Sequence, residues 1–164
     1  MLTVANRLSQ LHFGSLMTVY AESNRENGEE FYPHLPPEQQ IFQAEQDFYA
    51  YLREVFFPTD GAVYYVWSEK DQYVSALRLE PYQDGLLLEA LETAPEFRGR
   101  GYAKQLIRAV LDTADFEKIY VHIHRRNATS AAVHTACGFR KILDHGVYAD
   151  GSVNHYTDTY LFTK

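Results

Sequence analysis

Cysteine and long apolar runs are the features that this sequence lacks most clearly. Cys137 is the only cysteine among 164 residues, so no disulfide can form within the chain, and we expect a reducing compartment, the cytoplasm. No apolar run approaches the roughly 20 residues of a membrane-spanning helix. The first residues also lack the charged-then-apolar order of a signal peptide. The sequence therefore predicts a cytoplasmic protein without a membrane partner.

Basic side chains are scarce, and they form no run. The chain has 15 lysines and arginines against 22 acidic residues, which gives a net charge of −7. A surface of that sign repels phosphate backbones unless a basic patch is set apart. We therefore expect no nucleic-acid partner, whereas a cationic small molecule would suit the charge.

Internal repeats, low-complexity tracts and interdomain linkers are absent as well. Helical and strand periodicities alternate along the chain. With 46% hydrophobic residues the sequence can build one core. We predict one mixed α/β domain over residues 1–164.

The first 60 residues combine one strand with helices. The stretch LTVANR predicts a short strand, and Ser9 is placed to cap a helix that runs to Tyr20. The polar stretch ESNRENGEEFYPHLPP contains glycine and paired prolines, and it predicts a loop. Apolar residues at helical spacing predict a second helix over residues 38–57.

From residue 62 onward, β-branched and aromatic runs alternate with turns. The runs AVYYVWS, YVSALRLEPY and LLLEALETA predict a three-stranded antiparallel meander. After a further helix, KIYVHIH predicts a strand, and the alanine-rich segment 127–137 predicts a short helix that Gly138 stops. The stretches KILDHGVYA and HYTDTYLFT, joined through DGS, predict a closing hairpin.

The stretch PEFRGRGYAKQLI places two glycines and two arginines where the meander gives way to a helix. The first amides of a helix have no partners within it and carry the positive end of its dipole. Gly99 and Gly101 would leave these amides uncovered, and Arg98 and Arg100 add positive charge. This pattern favours a phosphate site, although a tight turn with solvated arginines would have the same sequence.

Two common nucleotide motifs do not fit this stretch. A Walker A loop needs serine or threonine after its lysine, whereas Lys104 is followed by Gln105. The dinucleotide fingerprint needs glycine or alanine at position 104, and it opens a βαβ unit rather than following a meander. The stretch is therefore neither a Walker A loop nor a dinucleotide-binding loop.

The stretch from Arg98 to Ala103 resembles the pyrophosphate loop of the GNAT superfamily of acyl-CoA-dependent N-acyltransferases. Asn127, before a short helix that ends in Gly138-Phe139, resembles a second motif of that superfamily. The resemblance implies a largely antiparallel central sheet with helices on both faces, and acetyl-CoA as the co-substrate. The cofactor-binding residues that it implies are Leu91, Glu92, Thr93, Arg98, Gly99, Arg100, Gly101, Tyr102, Ala103, Lys104 and Asn127.

The general acid of the reaction is expected near the end of the short helix. His134 stands where the superfamily commonly has a tyrosine whose hydroxyl reaches the thiolate sulfur. An imidazole can donate a proton to the thiolate, but it titrates near pH 6.5 rather than 10. The alternative is a histidine on the helix surface without a role.

The general base is expected on the last strand of the meander. Glu89 and Glu92 lie beside the implied thioester position, and strand alternation places them on opposite faces, so at most one points directly into the cleft. Either one could instead be a solvated strand residue. His122 and His124 share a face of the next strand, but no third ligand has recognisable spacing, and we predict no metal site.

These observations lead to one functional prediction with one alternative. The chain is predicted to be an N-acetyltransferase in which a primary amine of a small molecule or peptide attacks the thioester of acetyl-CoA directly. The alternative is a catalytically silent acyl-CoA-binding sensor or assembly module, which would explain the missing tyrosine. A homodimer is compatible with either function. Aromatic residues of the first 60 positions, Phe31, Tyr32, Phe48, Tyr49 and Tyr51, are candidates for the roof of an acceptor pocket.

Overall fold

Seven strands form one mixed sheet with helices against both of its faces. The computed structural model describes residues 1–164. In chain order the elements are β1 (Leu2–Ala5), α1 (Phe13–Val19), α2 (Ala21–Phe31), α3 (Pro37–Tyr51), β2 (Val63–Glu69), β3 (Gln72–Tyr82), β4 (Gly85–Thr93), α4 (Tyr102–Thr113), β5 (Lys118–His124), α5 (Ala128–Ala136), β6 (Arg140–Leu143), β7 (Gly146–Val147), β8 (Val153–Asn154) and β9 (Thr157–Thr163).

The sheet has the strand order β1-β2-β3-β4-β5-β9-β6, and every neighbouring pair is antiparallel except β4 and β5. These two parallel strands are connected by α4, as a βαβ crossover requires. They pair only from Leu86 to Leu88, opposite Ile119 to Val121. Beyond Leu88 no residue of β5 pairs with β4, so the sheet is open between the carboxyl ends of the two strands.

A separate apolar core fills each side of the sheet. On one side Leu106, Ile107 and Val110 of α4 pack with Leu77 and Leu79 of β3. The other core joins α1 and the end of the α3 region to alternate residues of β2 and β3. Its members include Leu16, Val19, Leu52, Phe56, Tyr64, Val66 and Ala76. The predicted sheet with helices on both faces is thus confirmed.

The prediction of a loop after residue 21 is wrong, because α2 occupies most of that segment. Gly28 lies inside this helix. A β-carbon on Gly28 would lie 2.6 Å from the carbonyl oxygen of Gln40 in α3. The glycine therefore allows two helices to pack closely and does not mark a turn. Its role depends on a contact twelve residues away, which local composition does not show.

The predicted cap of the first helix is also wrong. Ser9 lies in a short 3₁₀ turn, Leu8–Gln10, and α1 begins four residues later. Its N-cap is His12, whose Nδ1 accepts a hydrogen bond from the backbone N–H of Ser15 at 3.1 Å. An imidazole nitrogen replaces the expected hydroxyl oxygen at this helix end.

Most of the other predicted elements are confirmed. The second helix continues from α3 through one π-helical turn, Leu52–Phe56. The meander, α4, β5 and α5 lie where the periodicity placed them. The closing hairpin differs in one respect: β6 pairs with β9, but the predicted first strand is interrupted after Leu143, and the DGS turn joins β7 to β8 in a small hairpin of their own. None of the helices has the length and apolar character needed to cross a membrane.

Candidate functional site

A cleft of about 760 Å³ opens where β4 ends and α4 begins. It is lined by residues of α2, β4, the segment before α4, α4 itself and α5. The predicted cofactor-binding residues that line it are Leu91, Glu92, Thr93, Arg98, Gly99, Gly101, Tyr102, Ala103, Lys104 and Asn127. The structure therefore brings together all of these predicted residues except Arg100.

The floor of the cleft at α4 is bare backbone. Gly99 and Gly101 have φ angles of +75° and +82°, in the left-handed region that favours glycine. A β-carbon at either position would meet no atom within 4 Å. Gly101 is the N-cap of α4, and no side chain caps the helix. The amides at the start of the helix are thus available to an anion, as a pyrophosphate needs.

The two arginines of this loop bind within the protein. The guanidinium of Arg98 forms an ion pair with Glu22 of α2, and its Nε–H donates to the carbonyl oxygen of Thr93 at 3.2 Å. Arg100 is exposed, and its guanidinium carbon lies 5.4 Å from the centroid of the Phe97 ring. Arg100 does not line the cleft, and its cofactor contact stays a prediction. Arg98 and Lys104 both line the cleft beside the first residues of α4.

A β-bulge in β4 shapes the wall of the cleft. Ala76 of β3 pairs with Glu92, and Arg78 pairs with Glu89. The two paired positions are two residues apart on β3 but three residues apart on β4, so β4 contains one extra residue. The bulge includes Ala90, which has a φ of +52°. Because directly paired residues share a face, Glu89 and Glu92 lie on the same face of the sheet. The prediction that they lie on opposite faces is wrong, since regular alternation does not include the extra residue.

Two buried tyrosines hold the bulge. The hydroxyl of Tyr20 donates to the carbonyl oxygen of Ala90 at 2.7 Å, and it accepts a hydrogen bond from the hydroxyl of Tyr64 at 2.7 Å. Tyr20 is 3% exposed and Tyr64 is fully buried. Burial raises the pKa of both phenols, so both hydroxyls stay protonated donors. The conformation of Ala90 is therefore fixed from the core.

A second cavity, of about 300 Å³, adjoins the cleft. Ser23 and Glu92 line both spaces. Its other lining residues are Tyr20, Asn27, Phe48, Tyr51, Arg78 and Ala90. Two of the aromatic residues proposed as a roof, Phe48 and Tyr51, are among them, and the other three are not. The carboxylate of Glu92 thus lies between the cleft and a partly aromatic pocket, which we call the side pocket.

Glu92 has the electrostatic character of a general base. Burial raises its pKa above the usual value of 4.5, and the carboxylates of Glu22 and Glu26 act in the same direction. The hydroxyl of Ser23 and the charge of Arg98 oppose this shift. A carboxylate with a raised pKa takes a proton more readily than an ordinary one.

Glu89 forms an ion pair with Arg78. Its carboxylate oxygen accepts from Nε of Arg78 at 3.3 Å. It also lies beside Glu80, whose pKa burial and the nearby Glu89 raise to about 7. Glu89 lines neither the cleft nor the side pocket. Of the two predicted bases, only Glu92 therefore lies beside the cleft.

His134 is buried, which corrects the alternative of a surface histidine. The side chain is 1% exposed, and its ring packs edge-on against Phe139 with the centroids 5.2 Å apart. Nδ1–H donates to the carbonyl oxygen of Ser130 at 2.8 Å, and Nε2 has no partner. Burial lowers the pKa of His134 below 6.5. The neutral imidazole is thus favoured at pH 7, whereas the predicted proton donor would need the protonated form.

The buried His134 should make the protein less stable in acid. The unfolded side chain has a pKa near 6.5, and burial lowers the folded value, so between the two the unfolded chain binds more protons. Unfolding free energy should therefore fall as the pH drops below about 6.5. We expect His134→Phe to reduce this slope in urea titrations from pH 7.5 to 5.

The matched control is His155→Phe, because His155 is exposed. This variant should keep the slope of the parent. Part of the slope should survive in His134→Phe, since burial also lowers the pKa of His122. An unchanged slope in His134→Phe would show that the imidazole titrates alike in the folded and unfolded states.

The remaining candidates lie outside the cleft. Nε2 of His122 lies 3.3 Å from the hydroxyl of Tyr82, and His124 is exposed, with Nδ1 accepting from the backbone N–H of Arg126. No group of three histidine, cysteine or acidic side chains has the geometry to hold a metal ion. Cys137 is buried in the core beneath α4, and burial raises the pKa of its thiol. A raised pKa makes this thiol a poor nucleophile.

A comparison with models of known protein families identifies the family of this chain. The family model described as the acetyltransferase (GNAT) family matches residues 19–139. This chain belongs to the GNAT acetyltransferase family. The match begins at the end of α1 and includes α2 and α3, so it reaches further toward the start of the chain than the sequence motifs indicated. The family predicted from those motifs is confirmed.

Solved structures agree on the GNAT fold. A PaiA N-acetyltransferase from Thermoplasma acidophilum, in complex with coenzyme A, is 11% identical, with a TM-score of 0.63 over 100% of this chain and 99% of that one. A spermidine N-acetyltransferase from Vibrio cholerae, in complex with CoA and spermine, is 20% identical, with a TM-score of 0.61 over 99% and 95%.

A ribosomal-protein alanine N-acetyltransferase from Escherichia coli is 14% identical, with a TM-score of 0.61 over 99% of this chain and 94% of that one. No curated protein sequence matches this chain significantly. At such identities the solved structures establish the fold alone, while the family match establishes an acetyltransferase.

Proposed function

We propose that this GNAT protein moves the acetyl group of acetyl-CoA to a primary amine of a small molecule or peptide. The observation that carries the proposal is the position of Glu92, whose side chain lines both the cleft and the side pocket. A base at that boundary can reach an amine in the side pocket and a thioester in the cleft. A protein that only stores or senses acyl-CoA needs no base there.

The cleft offers groups for each part of the cofactor. The pyrophosphate would lie against the free amides of Tyr102, Ala103 and Lys104, with the glycines leaving room. The pantetheine arm would enter the opening between β4 and β5, along Leu91 to Thr93. Asn127 accepts from the backbone N–H of Ser130 at 3.0 Å through its side-chain oxygen. Its amide nitrogen hydrogen-bonds no other group of the chain and is free to donate to the arm.

The reaction begins with a proton transfer to Glu92. An alkylammonium with a pKa near 10.4 is neutral in only about one molecule in a few thousand at pH 7. Glu92 takes the proton, and the nitrogen lone pair forms a bond to the thioester carbon while the carbonyl electrons move to the oxygen. A backbone amide of β4 beside the thioester would donate to this oxyanion.

The intermediate then collapses and the carbon–sulfur bond breaks. An ordinary thiol has a pKa near 8.5, so the departing thiolate is a moderate leaving group. The nitrogen loses its second proton to solvent as the amide forms, the thiolate takes one proton from solvent in the open cleft, and Glu92 then releases the first proton. His134 is not needed as an acid in this scheme. Its neutral form and hydrogen bond to Ser130 suit a role in holding α5.

Release of free CoA in the presence of a panel of primary amines tests the proposal. We expect release that depends on the amine, with the acetylated amine identified by its mass. Calorimetric binding of acetyl-CoA without release in any amine would instead support the silent sensor. The cytoplasmic location, the single domain and the homodimer remain predictions.

Tyr20 should matter for turnover through the bulge that it holds. In Tyr20→Phe the Ala90 carbonyl and the Tyr64 hydroxyl lose their partner, which should lower stability by about 1–3 kcal/mol. The bulge should also relax and move Glu92, because small displacements of reacting groups cost up to about a hundredfold in rate. We expect kcat to fall by about tenfold or more.

Tyr64→Phe is the matched control for this effect. It removes a buried hydroxyl of the same pair but leaves the hydrogen bond from Tyr20 to Ala90 in place. We expect a smaller loss of stability, because Tyr20 keeps its other bond, and a nearly unchanged kcat. Equal losses of kcat in the two variants would show that the bulge does not depend on Tyr20.

A further inference from the structure

Arg78 presents an unused guanidinium edge in the side pocket. Its Nε–H donates to Glu89, and its guanidinium carbon lies 4.8 Å from the ring centroid of Tyr51 and 5.6 Å from that of Phe56. The side chain is 15% exposed. The buried hydroxyl of Tyr64 lies close enough to interact with the guanidinium, and neither terminal nitrogen forms an ion pair with a carboxylate. Arg78 is one of the residues that line the side pocket.

Arg78 and Glu92 face the same pocket without forming an ion pair. Arg78 is directly opposite Glu89, and Glu92 pairs with Ala76, two residues before Arg78 in β3, so the two charges are diagonal neighbours on one face. Backbones at such positions are about 7–8 Å apart. No salt bridge joins the two side chains, and both line the side pocket. The pocket thus has one positive and one negative end.

The acidic neighbours of Arg78 leave its charge available. Glu89 contacts only Nε, at 3.3 Å, so no carboxylate is paired with the other N–H groups. Glu80 lies beside Glu89, and burial together with the neighbouring carboxylate raises the pKa of Glu80 to about 7. The guanidinium is therefore stacked and oriented by its surroundings, but its terminal edge is not neutralised by a carboxylate.

We propose that the amine acceptor also carries a carboxylate, as a free amino acid does. This inference rests on the proposed function. The paired N–H groups of the guanidinium edge match the two oxygens of a carboxylate, and Glu92 receives the ammonium group. A polyamine would instead place a second positive charge near the positive charge of Arg78, and the two would repel. Phe48 and Tyr51 would contact the apolar side chain, and a cavity of about 300 Å³ suits a ligand of this size.

The test compares acceptors that differ only in the carboxylate. Three matched compounds are phenylalanine, phenylalanine amide and 2-phenylethylamine, each with acetyl-CoA, and kcat/KM is measured by CoA release. Leucine and 3-methylbutylamine form a second pair. Hydrogen bonds to a charged group change binding by about tenfold to a hundredfold. We expect the parent to prefer the carboxylate-bearing acceptor by at least about tenfold.

Arg78→Gln should remove this preference. We expect kcat/KM to fall for the amino acids and to stay nearly constant for the amines without a carboxylate, which a merely structural arginine would not produce. Arg78→Lys keeps the charge and should retain part of the preference if Arg78→Gln does not fold. Arg53→Gln is the matched control, because Arg53 also stacks on a tyrosine, at 5.7 Å, but does not line the side pocket.

Three results would overturn the inference. Equal or faster acetylation of the amines without a carboxylate would reject it while leaving acetyl transfer in place. Parallel losses for both kinds of acceptor in Arg78→Gln and Arg78→Lys would show that Arg78 only supports the fold. Absence of CoA release with every amine would reject the proposed function together with this inference.

Discussion

Replacing Gly101 by valine should lower the affinity for acetyl-CoA by about a hundredfold or more. A β-carbon there would project into empty space at the cleft, and the branches of valine would cover the first amides of α4. Losing two hydrogen bonds to a charged phosphate, each worth about 1.5–3 kcal/mol, accounts for that loss. The measurement is calorimetric titration with acetyl-CoA.

Gly151→Val is the control for this substitution. Gly151 has a φ of +85°, close to the +82° of Gly101, and a β-carbon there also meets no atom within 4 Å. It lies in the turn between β7 and β8, away from the cleft. Both variants carry backbone strain of about 1–3 kcal/mol, so they should lose similar stability. Only Gly101→Val should lose binding, and normal binding by that variant would mean that the pyrophosphate lies elsewhere.

Glu92→Gln should lower kcat by about a hundredfold to ten-thousandfold, the usual contribution of a general base. Glutamine has nearly the same shape, so the affinity for acetyl-CoA should be retained. A base acts when deprotonated, so the rate of the parent should fall as the pH drops through the pKa of Glu92. Burial raises that pKa above 4.5, so the acidic limb of the pH–rate profile should lie at a correspondingly higher pH.

The control for Glu92→Gln is Glu96→Gln. Glu96 is exposed in the turn between β4 and α4 and does not line the cleft. This variant should keep the rate and the pH profile of the parent. If Glu92→Gln turned over normally with its acid limb unchanged, another group or solvent would be taking the proton from the amine.

The cofactor side of the site was predictable because it is local. Gly99, Gly101 and the apolar face of α4 stand within one continuous stretch, and a helix N-terminus with bare glycines has the same geometry in any fold. The strands of the meander are likewise adjacent in sequence. Their pairing follows from short turns, which the composition shows directly.

The acceptor side depends on contacts between distant residues. Gly28 looks like a loop residue until Gln40 packs against it, and Ala90 gives no sign that Tyr20 will hold it in a left-handed conformation. The bulge at Ala90 then brings Glu89 and Glu92 onto one face and places Arg78 beside the pocket. No pattern in the run LLLEALETA indicates the extra residue, so sequence reasoning could not choose between the two carboxylates.

His134 illustrates a different limit. Its place before Gly138 was visible in the sequence, and the family pattern suggested an acid. The protonation state depends on burial, which the alanine-rich helix alone does not reveal. An imidazole enclosed by Phe139 and bonded to Ser130 favours the neutral form.

Transfer of an isotope-labelled acetyl group tests the central claim most directly. Protein, labelled acetyl-CoA and the amine panel are mixed at comparable concentrations, and the masses of the protein and the small molecules are followed together. Direct attack predicts that the label moves from CoA to an amine as free CoA appears, while the mass of the protein stays constant. Label that accumulates on the protein, or that remains on CoA with every amine, would contradict the account.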